Sequence, residues 1–183
     1  MYFALSHFRI GKQMKNNQPK IQLSMTATDN ALEILSVLAI AGIWVLLLLF
    51  YSNLPEKIPV HFNSAGQIDG YGSKLTLIFE PLIASILYIG LTFLNKHPHL
   101  FNYLSPITPE NAEYQYRMAT RLIRYIKLII VLLFAFIMWT SIQAATSYND
   151  GFGIKFLPVF LALIIIPSLF VLAKSLNRKK QNS

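Results

Sequence analysis

The sequence contains no cysteine. That excludes disulfide bonds, thiolate catalysis and cysteine-based metal centres. Charge is scarce as well: Asp, Glu, Lys and Arg make up 13% of 183 residues, against about 25% in an ordinary soluble domain. Acid is scarcer than base, with 8 Asp and Glu against 16 Lys and Arg and a formal net charge of +8. What fills the gap is apolar. Hydrophobic residues are 54% of the chain, and the mean hydropathy is +0.47. They come in blocks, the pattern of a membrane protein. The positive charge does not point to nucleic acid, because the basic residues stand at the edges of the apolar blocks, where lipid headgroups lie. The stretch "MYFALSHFRIGKQ" has no long apolar core and no small-residue cleavage site, so it does not read as a signal peptide.

A helix needs about 20 apolar residues to cross a hydrocarbon core of about 30 Å. Four segments reach that length: Leu32–Tyr51, Leu75–Leu94, Leu122–Ile142 and Phe156–Leu176. They are too long and too continuous for barrel strands, and helices satisfy their own backbone groups in lipid. Asn30 and Glu33 have the spacing of a capping box at the start of the first span.

Basic residues set the direction. Arg9, Lys12, Lys15 and Lys20 precede span one; Lys96, Arg117, Arg121, Arg124 and Lys127 flank the second connection; Lys174, Arg178, Lys179 and Lys180 close the chain. The first loop has only Lys57 and Lys74, and the third only Lys155. The positive-inside rule then places both termini and the second connection in the cytoplasm. The organisation expected is a polar cytoplasmic tail at 1–31, a membrane domain at 32–176 and a basic cytoplasmic tail at 177–183. Met25 offers an alternative translation start, which the intact mass of the purified protein distinguishes.

The second connection has its own pattern. Thr108 can cap a helix, Pro109 suits its first position, and Glu110 and Glu113 suit the positive end of its dipole. Glu113 and Arg117 form an i,i+4 pair, and Arg121 and Arg124 follow at helical spacing. One long helix running from Pro109 through span three is expected, with Arg124 and Lys127 reaching back to the headgroups.

The most patterned stretch is the first loop, "LPEKIPVHFNSAGQIDGYGSK", Leu54 to Lys74. Pro55 and Pro59 block a helix. "IPVHF" suits a short strand, and "SAGQIDGYGS" is turn chemistry. Ser73 can cap span two. His61, Asp69, Tyr71 and Lys74 are the side chains that stand out. They read either as a small outward-facing binding site or as the ties of an ordered loop. One histidine with two acids lacks the spacing of a metal site, and no third group orients Ser64 and His61 as nucleophile and base.

These loop residues carry a resemblance. Leu54, Pro55, Ile58, Pro59, His61, Phe62, Gly66, Asp69, Gly70, Gly72, Ser73 and Lys74, followed by an apolar helix, resemble the signature of an uncharacterised bacterial integral-membrane family, the domain of unknown function 1648. The module is also found in the N-terminal part of SdpI-type immunity proteins. The resemblance implies a membrane protein of the bacterial plasma membrane, and by analogy a role in immunity or signalling against a membrane-active peptide.

Other residues have weaker signals. Glu80, beside Pro81, falls inside span two, where an acid costs about 2.5 kcal/mol or more unless it is neutral, paired or hydrated; a span starting later would put it in the first turn instead. His97 and His99 suit a plain interfacial turn. Arg117, Arg121 and Arg124 suit anionic lipid headgroups or simple anchoring. Pro158 and Pro167 allow a bend in span four. Ala84, Ser85 and Gly90 offer a close-packing face.

The expectation is an all-α membrane protein: a bundle of four transmembrane helices, both termini cytoplasmic, with an ordered loop between helices 1 and 2 outside. Its partners would be the lipid bilayer and a peptide or protein at the outer face, with no cofactor, no metal and no catalytic set. A small proton- or ion-coupled transporter component built around Glu80 is the alternative.

Overall fold

The computed structural model describes residues 18–146 and 156–181. Arg9, Lys12, Lys15 and Lys155 lie outside the described residues, as do the side chains of Arg178, Lys179 and Lys180.

The first helix, α1 (Ala27–Phe50), starts at Thr26. Thr26 Oγ1 accepts from Asp29 N at 3.3 Å, and Asp29 Oδ2 accepts from Thr26 N at 3.0 Å. This is a capping box, and it falls one turn before the Asn30–Glu33 pair expected from sequence. Glu33 is unavailable as a cap because cations of another helix hold it.

A 3₁₀ turn at Tyr51–Asn53 ends α1. The chain then forms an antiparallel hairpin of β1 (Lys57–Phe62) and β2 (Ile68–Ser73). The molecule is therefore predominantly helical with a β-hairpin, rather than all-α. "IPVHF" is a strand as expected, but "IDGYGS" is its partner and not turn. The turn is shorter, at 63–67. Asn63 Oδ1 accepts from Ala65 N and Gln67 N at 2.9 and 3.0 Å, and Gly66 takes φ 77°, a conformation that favours glycine. The register shifts between Pro59 and His61 and again between His61 and Phe62, so the ladder is bulged beside His61.

Ser73 caps the next turn, its Oγ accepting from Leu75 N at 3.3 Å. That turn is 3₁₀ over Lys74–Ile78 and leads into α2 (Phe79–Asn95). A helix of 17 residues rises about 26 Å, and the five-residue turn adds about 10 Å, so together they can cross a core of about 30 Å.

The third helix, α3 (Pro109–Thr146), starts where the sequence places it and runs unbroken for 38 residues. At 1.5 Å per residue it is about 57 Å long, well beyond the thickness of a hydrocarbon core. The last helix, α4 (Phe156–Gln181), carries Pro167 in its interior.

Three helical segments among the described residues are long and apolar enough to cross a membrane: Ala27–Asn53, Lys74–Asn95 and Pro109–Thr146. Pro158–Lys174 of α4 is apolar but shorter than such a span among the described residues. Large apolar side chains such as Leu48, Leu49, Ile86, Ile89 and Ile166 face outward, as surfaces solvated by lipid do. The core joins helices and hairpin: Ile43 and Leu47 of α1, Leu54, Ile58 of β1, Leu77, Ala84 of α2, and Val131, Met138 and Ile142 of α3 pack into one cluster. Ala84 fills the close-packing position expected of it, and Ser85 accepts a hydrogen bond from Trp44 Nε1 at 3.1 Å. Gly90 does not join them; it is exposed, with nothing near where a Cβ would be.

Candidate functional site

Two clusters of polar side chains lie at opposite ends of the bundle. The first is on the hairpin. Ile58, buried in the core, fixes β1 on the helices. The bulge next to His61 then places its Nδ1 against Asp69 Oδ1 across the ladder. The His61 side chain is 71% exposed and that of Asp69 41%, so the pair faces away from the core. Tyr71, 68% exposed, stands next to it. Gly70 has no room for a side chain, because a Cβ there would lie 2.9 Å from His61 Cβ.

Lys74, singled out with these residues, is not part of that surface. Its Nζ bonds Glu56 Oε1 at 3.0 Å and the Leu54 carbonyl at 3.4 Å, and lies 5.3 Å over the Tyr51 ring. It ties the base of the hairpin to the end of α1.

The second cluster joins the start of α1 to the first half of α3. Arg121 Nε donates to Asp29 Oδ1 at 3.0 Å and its Nη2 to Thr26 Oγ1 at 3.0 Å. Arg124 Nε donates to Glu33 Oε1 at 3.1 Å, and its Nη1 lies 3.6 Å from Asp29 Oδ1. Lys127 Nζ donates to Glu33 Oε2 at 2.5 Å and to Thr92 Oγ1 of α2 at 3.0 Å, under the Tyr88 ring at 4.6 Å. Lys127 does not reach back to the headgroups: its side chain is 1% exposed. Arg117 bonds Glu113 Oε1 at 2.8 Å and the Ser24 carbonyl at 3.0 Å. Sequence reading found the arginines by their helical spacing but missed Asp29 and Glu33 as their partners. Three cations, Arg121, Arg124 and Lys127, face two carboxylates, which leaves one positive charge over.

Glu80 sits in the first turn of α2 beside buried Pro81. Its Oε2 is buried and has no hydrogen-bond partner among the described residues. The α-helix proper begins beside Glu80, but the apolar helical segment begins at Lys74, so Glu80 lies within it. His97 Nδ1 bonds the Phe93 carbonyl at 3.1 Å, and the two rings lie tilted with centroids 4.9 Å apart. Nearby, Tyr103 donates to the Pro98 carbonyl at 3.0 Å; burial, with Tyr116 alongside, holds its phenol well above the ordinary range. Among the described residues no group of three or more His, Asp or Glu gathers to hold a metal.

The stretch from the middle of α1 through the hairpin to the first turns of α2 is also where the chain matches a known family. Residues 38–84 match the domain of unknown function DUF1648. The DUF1648 segment contains His61, Asp69, Tyr71 and Glu80 but not the Asp29–Lys127 network. An uncharacterised protein of Archaeoglobus fulgidus is 36% identical over 86 residues, 43% of this chain and 47% of that protein. The chain therefore spans about half the length of the curated relative it matches. No solved structure matches it.

Proposed function

We propose that this is a multi-pass protein of the bacterial plasma membrane that binds or senses a peptide or protein at the outer face through its DUF1648 hairpin. Its four helices cross the bilayer with both termini in the cytoplasm, and the 1–31 and 177–183 tails flank the 32–176 membrane domain. The charge asymmetry supports this orientation: Lys96, Arg117, Arg121 and Arg124 stand at the end opposite the hairpin. The observation that carries the binding reading is the exposed His61–Asp69 pair with Tyr71 beside it, on a hairpin pinned by Ile58 and Lys74. A hairpin tied to the bundle that presents one aromatic and a hydrogen-bonded His–Asp pair suits recognition, since little entropy is lost on binding. The immunity-like role of SdpI-type proteins is the nearest analogy, and it rests on the shared module alone. A photo-reactive residue at position 71 tests the reading in intact cells. A covalent peptide or protein adduct that disappears in Asp69→Ala supports it; cross-linking to lipid alone contradicts it.

Glu80 favours a second reading, a small proton- or ion-coupled transporter component. The unpartnered buried Oε2 beside Pro81 is the observation behind it. Proton flux in proteoliposomes that is lost in Glu80→Gln supports transport, and equal flux in both proteins removes it.

A further inference from the structure

A cavity of about 460 Å³ opens between α1, α3 and α4, on the far side of the bundle from the hairpin. Its apolar lining includes Leu122, Tyr125 and Phe170, and three cations line it: Arg117, paired with Glu113, Arg121, paired with Asp29, and Lys174. The two helices that supply them run in opposite directions, since Phe136 of α3 and Phe160 of α4 have ring centroids 6.1 Å apart while Arg117 and Lys174 share the cavity. Both therefore carry their cations towards the same end, the one where α3 begins. The cavity is cationic at that end and apolar towards the membrane interior.

The cations are not all used up by the protein. Among the described residues no carboxylate lies within ion-pair distance of Lys174, whose ammonium rests 4.9 Å over the Phe170 ring. Arg121 spends Nε and Nη2 on Asp29 and Thr26, and its Nη1 takes no acceptor among the described residues. A guanidinium and an ammonium lining one cavity are complementary to a phosphate. A soluble anion would leave the apolar lining uncovered. The volume is in the range of a ligand pocket, and its walls are membrane helices, so an acyl chain can enter from the bilayer.

We infer that this cavity is a binding site for an anionic phospholipid, with the phosphate at Arg121 and Lys174 and an acyl chain along Leu122, Tyr125 and Phe170. This site is separate from the hairpin and does not depend on what the hairpin binds. Lys174→Gln changes an exposed position whose contact is the neighbouring Phe170 ring of the same helix and which has no carboxylate partner among the described residues, so the packing between helices is not at risk. A lysine near a headgroup is worth about 1 kcal/mol, so Lys174→Gln weakens binding about fivefold.

The test is native mass spectrometry of the full chain in detergent, titrated separately with phosphatidylglycerol, phosphatidylcholine and oleate. Preferential retention of phosphatidylglycerol, weakened about fivefold in Lys174→Gln and abolished in Val171→Trp, which fills the cavity wall, is the expected result. Equal retention of phosphatidylcholine overturns the charge assignment. Oleate bound as tightly as phosphatidylglycerol overturns the phospholipid assignment. A phosphatidylglycerol preference that survives both variants places the lipid elsewhere and overturns the site.

Discussion

Lys127 on α3 and Glu33 on α1 meet inside the bundle, Nζ to Oε2 at 2.5 Å, with Thr92 and Tyr88 of α2 completing the shell around the ammonium. Three helices distant in sequence are thus joined at one buried cation. Arg124 extends the joint to Asp29, and Arg121 to the N-cap Thr26. Burying such charges is costly, and the pairing offsets that cost only while every partner is present. The network joins α1 to α3 through paired charges.

Removing one partner exposes that balance. Glu33→Gln leaves the Lys127 ammonium buried without a carboxylate, which costs about 3–5 kcal/mol. Thermal unfolding in detergent should show a clear fall in Tm. Adding Lys127→Met should restore most of the loss, because neither charge then remains. A double variant as unstable as the sum of its parts would mean the pair is not coupled.

Glu80 has the opposite logic. Its buried Oε2 has no partner among the described residues, so the side chain adds cost and no compensating bond. An unsatisfied buried polar group costs about 1–3 kcal/mol. Glu80→Met, similar in size and apolar, is expected to raise Tm in the same assay. A lower Tm would show that the carboxylate is bonded or hydrated in the membrane.

The hairpin separates packing from charge. The His61–Asp69 pair is exposed, and such pairs contribute about 0–1 kcal/mol. His61→Ala should therefore leave Tm nearly unchanged. Gly70→Ala should not, because the new Cβ meets His61 Cβ at 2.9 Å; crowding of that kind costs about 1–3 kcal/mol. Limited proteolysis of the 63–67 turn reads the local effect. Equal resistance in Gly70→Ala and the parent protein would contradict the tight strand contact.

How much of this the sequence disclosed follows from range. The helix from Pro109 was legible because a cap, a proline and charged residues at i,i+4 act within a few positions. β1 was legible from its β-branched and aromatic residues. β2 was not, because "IDGYGS" is rich in glycine and reads as turn. Its glycines are there because Val60 and His61 of β1 lie against them, a fact of pairing rather than of composition. Glu33 was legible only as a local cap, and Asp29 not at all. Their partners are Arg121, Arg124 and Lys127, more than ninety positions away, and no periodicity in one sequence connects them. Lys74 was read with the binding residues because the chain places it near them; only the fold shows it turned back onto Glu56 and Tyr51.

The hairpin is proposed to present its surface outside the cell. The chain has no cysteine, so a single one reports cleanly. Ser64, exposed in the hairpin turn, is replaced by cysteine in one variant, and Leu100, exposed in the second connection, in another. Intact cells are treated with a membrane-impermeant maleimide, and lysed cells serve as the control. The orientation proposed predicts labelling of Ser64→Cys in intact cells and of Leu100→Cys only after lysis. The reverse pattern would place the hairpin in the cytoplasm and contradict the outer-face binding site.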